Sequence, residues 1–147
     1  MTKYIGTKMI EAEACPAWKD AGGHKAGDSG YRVRYSDGYE SWSPKDVFEA
    51  AYLPVVTNPE LRTTAPSISQ QMVDDFIRET EVITMGDKTT VVRAILRNGF
   101  EIVESSACVS AENYDEKMGA EICMEHIKNK VWMLLGFLLQ TAVHGIK

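Results

Sequence analysis

The chain has 147 residues, 44% of them hydrophobic, and a formal net charge of −5. That size suits one globular domain, or one domain with an appended module, and the negative charge argues against nucleic-acid binding, which needs clustered Lys and Arg. The apolar run Val131 to Leu139 is too brief to span a bilayer, and Lys128 and Lys130 flank it, so no membrane partner is expected. The polar N-terminus carries no secretory pattern. Three cysteines without CxxC spacing suit reduced thiols in a cytoplasm.

Lys8 to Ala14 alternates weakly and reads as a strand. Cys15 to Ser29 is rich in Gly and mixed charge and reads as a loop, with a helical turn around Trp18. Tyr31 to Tyr35 then alternates cleanly, with Tyr31, Val33 and Tyr35 on one side and Arg32 and Arg34 on the other. Asp37-Gly38 is a turn signal before a return strand from Tyr39 to Trp42. Ser43, Pro44 and Asp46 have the order of an N-cap, a first-turn proline and a capping acid. They predict a short helix from Pro44 to Tyr52. Residues 1–53 therefore read as a small β module capped by a helix, with an SH3-like or chromo-like barrel as one possible shape.

Residues 54–66 hold Pro54, Pro59 and Pro66 and read as a linker. Ser67 is placed to cap a helix from about Ile68 to Glu79, with Val73, Phe76 and Ile77 on its apolar face. Glu81 to Met85 reads as a strand, turned back at Gly86-Asp87-Lys88.

Thr89 to Val109 is the strongest pattern in the chain. Asn98-Gly99 separates two strand-like runs and predicts a two-residue type I′ hairpin. Arg97 then faces Phe100, Ile95 faces Ile102, Arg93 faces Glu104 and Val91 faces Ser106. One side carries Val92, Ala94, Leu96, Glu101, Val103, Ser105, Ala107 and Val109, and a helix is expected over it. The other carries Arg93, Ile95, Arg97, Phe100, Ile102, Glu104, Ser106 and Cys108. This mixed face is too apolar to be idle surface and too charged to be plain core.

Asn113 is a suitable N-cap with Glu116 as its capping-box partner. Apolar residues recur from there at Ala120, Cys123, Ile127, Val131, Leu134 and Leu138, widened by Trp132 and Leu135, as on one face of a long helix. Gly119 and Gly136 interrupt the pattern at about 1 kcal/mol each relative to Ala, which points to close backbone approach or to a break. The expected fold is α+β: antiparallel sheets with a long C-terminal helix, residues 67–147 forming a helix–hairpin–helix domain.

The run NGFEIVESSACVSAENYDEKMG followed by KNKVWMLLGFLLQ resembles the C-terminal signature of a family of small tailed-phage proteins. In that family NGF, an ESACV-like segment, an EN(F/Y)D helix start and a KIW…LGYLL-like ending recur in this order. Here Val131 stands where Ile is usual before the Trp, and Ile122-Cys123-Met124 stands where Ala and Arg are usual. The N-terminal YxVxYxDGYESWSPKxVF pattern also looks like a module of phage proteins. The resemblance implies an accessory protein in the cytoplasm of the infected bacterial host. Small phage proteins of this kind often act against host defence, and a role like that of the Thoeris anti-defence sponges, which sequester cyclic ADP-ribose isomers, is one implication.

No hydrolase elbow, P-loop or dinucleotide fingerprint is present, so no catalysis and no cofactor are expected. Cys108, Cys123 and His126 lack a fourth ligand and the spacing of a metal site. The candidate ligand-binding residues are Arg93 and Arg97 for phosphate, Phe100 for base stacking, Asn98, Ser105 and Ser106 as polar partners, Glu104 beside them, and Asn113 at a helix N-terminus. Structural cross-strand pairing of Arg93 with Glu104 is the competing reading. The leading expectation is that the protein binds and sequesters a small anionic nucleotide signal without cleaving it. The alternatives are a protein-interaction module that inhibits a host protein, and a DNA-binding accessory using Arg32 and Arg34. A homo-oligomer through the C-terminal helix is expected, because WMLLGFLL leaves much apolar surface to cover.

Overall fold

The computed structural model describes all 147 residues, which form two compact units, Met1–Pro54 with Gln140–Lys147 and Val55–Leu139. The architecture is α+β, with two three-stranded antiparallel sheets and a long C-terminal helix.

In the first unit β1 (Glu11–Ala14), β2 (Gly30–Arg34) and β3 (Glu40–Pro44) form an open sheet with β2 in the centre. The strands do not close into a barrel. Val33 is its buried centre, while Arg32 reaches Glu13 and Arg34 reaches Glu40 and Glu11 on the opposite side. Gly30 is required there, because a Cβ would overlap the Trp42 ring and the Ser43 carbonyl. Trp42 Nε1 in turn donates to the Cys15 carbonyl at 2.7 Å. Helix α1 (Lys45–Ala51) begins one residue later than the sequence suggests, since Ser43 and Pro44 still belong to β3 and no side chain caps the helix. Tyr31, Phe48 and Tyr52 stack in a row with centroids 4.2 and 4.8 Å apart.

In the second unit α2 (Gln70–Phe76) leads directly into β4 (Ile77–Met85), β5 (Thr89–Leu96) and β6 (Glu101–Ala107). The α2 cap is Ser69, whose Oγ accepts from Met72 N, whereas Ser67 Oγ accepts from Asn58 N. The helix is shorter than its apolar spacing suggests because Ile77 to Met85 is rich in β-branched residues and pairs along β5. Arg78 is the extra residue where the register shifts between Ile77 and Glu79. A 3-10 turn at Ala111–Asn113 precedes α3 (Glu116–His144).

The hairpin between β5 and β6 corrects the expected register. Ile95 pairs with Glu101, Ala94 with Ile102, Arg93 with Val103, Val92 with Glu104 and Val91 with Ser105. The loop has three residues, Arg97, Asn98 and Gly99, closed by Leu96 N to Phe100 O at 2.8 Å. Only Gly99 has positive φ, +86°, while Asn98 does not, and its Oδ1 instead accepts from Phe100 N. This is a turn ending in a left-handed glycine rather than a type I′ loop. A slip of one residue moves every β6 side chain to the other face. The helix-facing side is Thr90, Val92, Ala94 and Leu96 with Ile102, Glu104 and Ser106, and Val103 and Ser105 lie on the outer side.

Against that inner face α3 buries Cys123, Ile127, Val131 and Leu135, at intervals of four. The helix runs unbroken through both glycines. At Gly119 the backbone lies so near β5 that a Cβ would sit 2.8 Å from Thr90 Cβ and closer still to its hydroxyl, whereas at Gly136 the space is open. The N-cap is Asp115, whose Oδ1 accepts from Met118 N at 3.1 Å. The cap therefore lies two residues beyond the one expected at Asn113.

Candidate functional site

The eight candidate residues do not converge. Seven of them fall in three places on the second unit, the hairpin tip, the outer face of the sheet and the inner face beneath α3, and Asn113 lies apart from all three.

Arg97, Asn98 and Phe100 share the tip. Arg97 carries no ion pair, and Phe100 is 55% exposed. Asn98 is occupied with the turn, its side chain holding Phe100 N at 3.0 Å.

Arg93 and Ser105 lie on the outer face. Arg93 is held by Glu81 across β4, at 3.4 Å, and by Glu101 on β6. The expected Arg93–Glu104 pair does not form, since the register puts the two on opposite faces. Arg93 is therefore a neutralised cation between two carboxylates, not an open phosphate fork. Around it the face is apolar: Ile83, Met85 and Val103 are 44, 59 and 56% exposed, and Val91 and Ile95 complete the patch.

Glu104 and Ser106 lie on the inner face. Glu104 accepts from Lys130 Nζ at 2.5 Å and lies 3.9 Å from His126 Nδ1, both on α3. The hydrogen bond from Lys130 holds its carboxyl below the usual carboxylate range, against a smaller opposing effect of burial. Lys128 does the same for Asp74 of α2 at 3.0 Å. Burial pushes the Cys123 thiol up, and the charge of Glu104 adds to the effect; its Sγ faces the Thr90 carbonyl at 3.8 Å. Cys123 is thus core rather than a nucleophile poised against His126, which turns toward Glu104. No group of three His, Cys, Asp and Glu side chains is placed to hold a metal ion.

Asn113 lies in the 3-10 turn, with its carbonyl facing Cys108 Sγ. The N-terminus of α3 is occupied by Asp115 and Glu116, so two acids already stand where an anionic ligand was expected.

Two features escaped the sequence. One is a hydroxyl cluster in which Tyr114 bonds Thr84 at 2.7 Å and Thr90 at 2.8 Å, with Glu116 also on Thr84. It ties the start of α3 to the sheet, and only the fold brings its members together. The other is the share of β4 in the apolar outer face, Ile83 and Met85, whose period-two placement was an available signal.

No helix is long and apolar enough to cross a membrane. No curated protein and no solved structure matches the chain. The family described as "Phage protein (N4 Gp49/phage Sf6 gene 66)" matches residues 68–143, from the start of α2 almost to the end of α3. The chain therefore belongs to that phage protein family.

Proposed function

We propose that this phage protein works by binding rather than catalysis, in the cytoplasm of the infected host, and that its family domain docks on a host protein through the outer face of the β4–β5–β6 sheet. The observation that carries this reading is the open apolar patch of Ile83, Met85, Val91, Ile95 and Val103 around a charge-neutralised Arg93. The charge indicates the partner's chemistry. Between Ile68 and Val143, twelve Asp and Glu stand against seven Lys and Arg, so the family domain carries the whole net charge of −5. Glu79, Glu81 and Glu101 lie on or beside the patch. The fitting partner presents an apolar centre with basic residues around it, and inhibition of that partner is the biochemical outcome. The test compares wild type with an Ile83→Glu, Val103→Glu double variant. The partner recovered from host lysate by the wild type is purified and titrated against both. Binding that weakens with salt and is lost in the folded double variant supports the reading. Equal affinity of the two refutes it.

Sequestration of a cyclic nucleotide immune signal is the second reading, favoured by the unpaired Arg97 and the exposed Phe100 at one tip. Incubation with cyclic ADP-ribose isomers and cyclic oligonucleotides, followed by heat release and chromatography, tests it. Intact ligand recovered from the protein means sequestration, a product means an enzyme, and no ligand recovered removes this reading.

A further inference from the structure

Strand β4 is a sheet edge whose main chain is bonded on one side. In the order β4–β5–β6 it pairs with β5, and no other backbone group bonds Arg78 to Met85. Every residue of that stretch is exposed. Ile83 and Met85 are open on the outer side, and Val82 is 40% exposed on the inner side although Val92 opposite it is fully buried. Bare edges recruit further strands, so natural edges are short or carry Lys, Pro or a bulge. The edges of the other sheet, β1 and β3, have four and five residues, and β3 ends in Pro44. The opposite edge, β6, has seven, and α3 covers its inner side, where Ile102 is buried and Glu104 is held by Lys130. β4 has nine residues, no Lys and no Pro. Its irregularity at Arg78 leaves Glu79 to Met85 in regular register with β5.

The chemistry of this edge identifies its occupant. A row of N–H and C=O groups at strand spacing is matched by another extended chain. Side chains directly opposite each other in an antiparallel pair share a face and interact. β4 presents Glu79, Glu81, Ile83 and Met85 on the outer side, and Thr80, Val82 and Thr84 on the inner side. Glu81 shares Arg93 with Glu101, so these three keep a net negative charge. The matching strand carries Lys or Arg opposite Glu79 and Glu81, and apolar residues opposite Val82, Ile83 and Met85. A second copy of β4 fits less well, since it brings its own Glu79 and Glu81 to a domain already at −5. We propose that β4 accepts an extended segment of the protein partner as a fourth, antiparallel strand, apolar in its first half and basic in its second. This rests on the docking reading above and names the element that docks.

Hydrogen exchange read by NMR on the full chain tests it, with the synthetic peptide ITVVKTK as probe at about 1 mM. In the free protein the alternate amides of Glu79 to Met85 that face away from β5 should exchange fast. With the peptide they should slow at least tenfold. A peptide with both lysines replaced by glutamate should bind at least tenfold more weakly. Val82→Lys, with an unchanged circular dichroism spectrum, should weaken the ITVVKTK peptide as much, because it sets a like charge at the edge while Ile83 and Val103 stay in place. Absence of peptide binding, or binding that leaves the β4 amides unprotected, overturns the proposal. So does protection of these amides that rises with protein concentration alone, which would mean a second copy on the edge. A host partner that is lost from the Ile83→Glu, Val103→Glu variant but binds Val82→Lys as tightly as wild type overturns strand addition and leaves outer-face docking standing.

Discussion

Gly119→Ala sets two effects of opposite sign against each other. In an open helix the change stabilises by about 1 kcal/mol, because glycine has more backbone freedom to lose. Here the new methyl would lie 2.8 Å from Thr90 Cβ and nearer still to Thr90 Oγ1. Thr90 is fully buried in the central strand, and its hydroxyl is bonded to Tyr114 at 2.8 Å. It cannot swing into solvent as a lysine would. Either the helix lifts, at an overpacking cost of about 1–3 kcal/mol, or Thr90 turns away and the Tyr114 hydrogen bond is lost, at about 1 kcal/mol or more. Set against the propensity gain, the expected net effect is a loss of about 0–2 kcal/mol. Gly136→Ala is the internal control, since no atom lies within 4 Å of its Cβ position, and it should stabilise by up to about 1 kcal/mol. Urea unfolding followed at 222 nm, where α3 dominates the signal, measures both. If Gly119→Ala is as stabilising as Gly136→Ala, the close approach of α3 to β5 is wrong, and so is the placement of the Tyr114 hydroxyl cluster.

Other outcomes follow from the same geometry. Gly99→Val should destabilise by more than about 1 kcal/mol through its +86° φ alone, since the space around it is open; an unchanged urea midpoint would contradict the left-handed turn. Leu135→Ala removes a side chain that is almost fully buried and should cost about 2–5 kcal/mol, whereas Met133→Ala, at a position 66% exposed, should leave chain stability within about 0.5 kcal/mol. The two carboxyls held low by Lys130 and Lys128, Glu104 and Asp74, bind protons more readily in the unfolded chain than in the folded one. Their stabilising contribution is therefore complete above the ordinary carboxylate range, about pH 4–5, and is lost as pH falls through the lowered folded values. Glu104→Gln should flatten that acid limb in urea titrations between pH 7 and 3, and a wild-type stability that stays constant over that range would refute the assignment.

The long helix was legible from the sequence, and so was the part of its core where Cys123, Ile127 and Val131 repeat at the helical period, whereas Leu135 was expected only beside that line and Leu138, expected on it, is 41% exposed. Close approach was one of two readings offered equally for Gly119 and Gly136, and it holds only at Gly119, against Thr90, which the sequence did not name. The hairpin itself was legible, but its register was not. Asn98-Gly99 fits two loops equally well. A type I′ turn needs positive φ at both residues, while the observed turn needs it only at Gly99 and uses the Asn98 side chain to hold Phe100 N. Hydrophobic pattern does not decide between them, since either register puts a mixture of apolar and polar β6 residues beside Val92, Ala94 and Leu96. What separates them is where Glu104 finds a cation. Beneath the helix it meets Lys130, twenty-six positions along the chain, and no local rule anticipates a pair at that distance.

That single residue of register changes the kind of ligand the domain suits. Had Arg93 faced Glu104 on a surface shared with Arg97 and Phe100, two guanidiniums and a ring would have lined one side of the sheet, as a nucleotide requires. Instead Glu104 is inside, and Arg93 lies between Glu81 and Glu101 with its charge already met. A phosphate approaching Arg93 would have to displace one carboxylate and sit beside the other, with like charges in contact. A protein partner meets no such penalty. It can pack on Ile83, Met85 and Val103 while leaving the Glu81–Arg93–Glu101 bridge intact, so on this face apolar contact is favoured over phosphate binding.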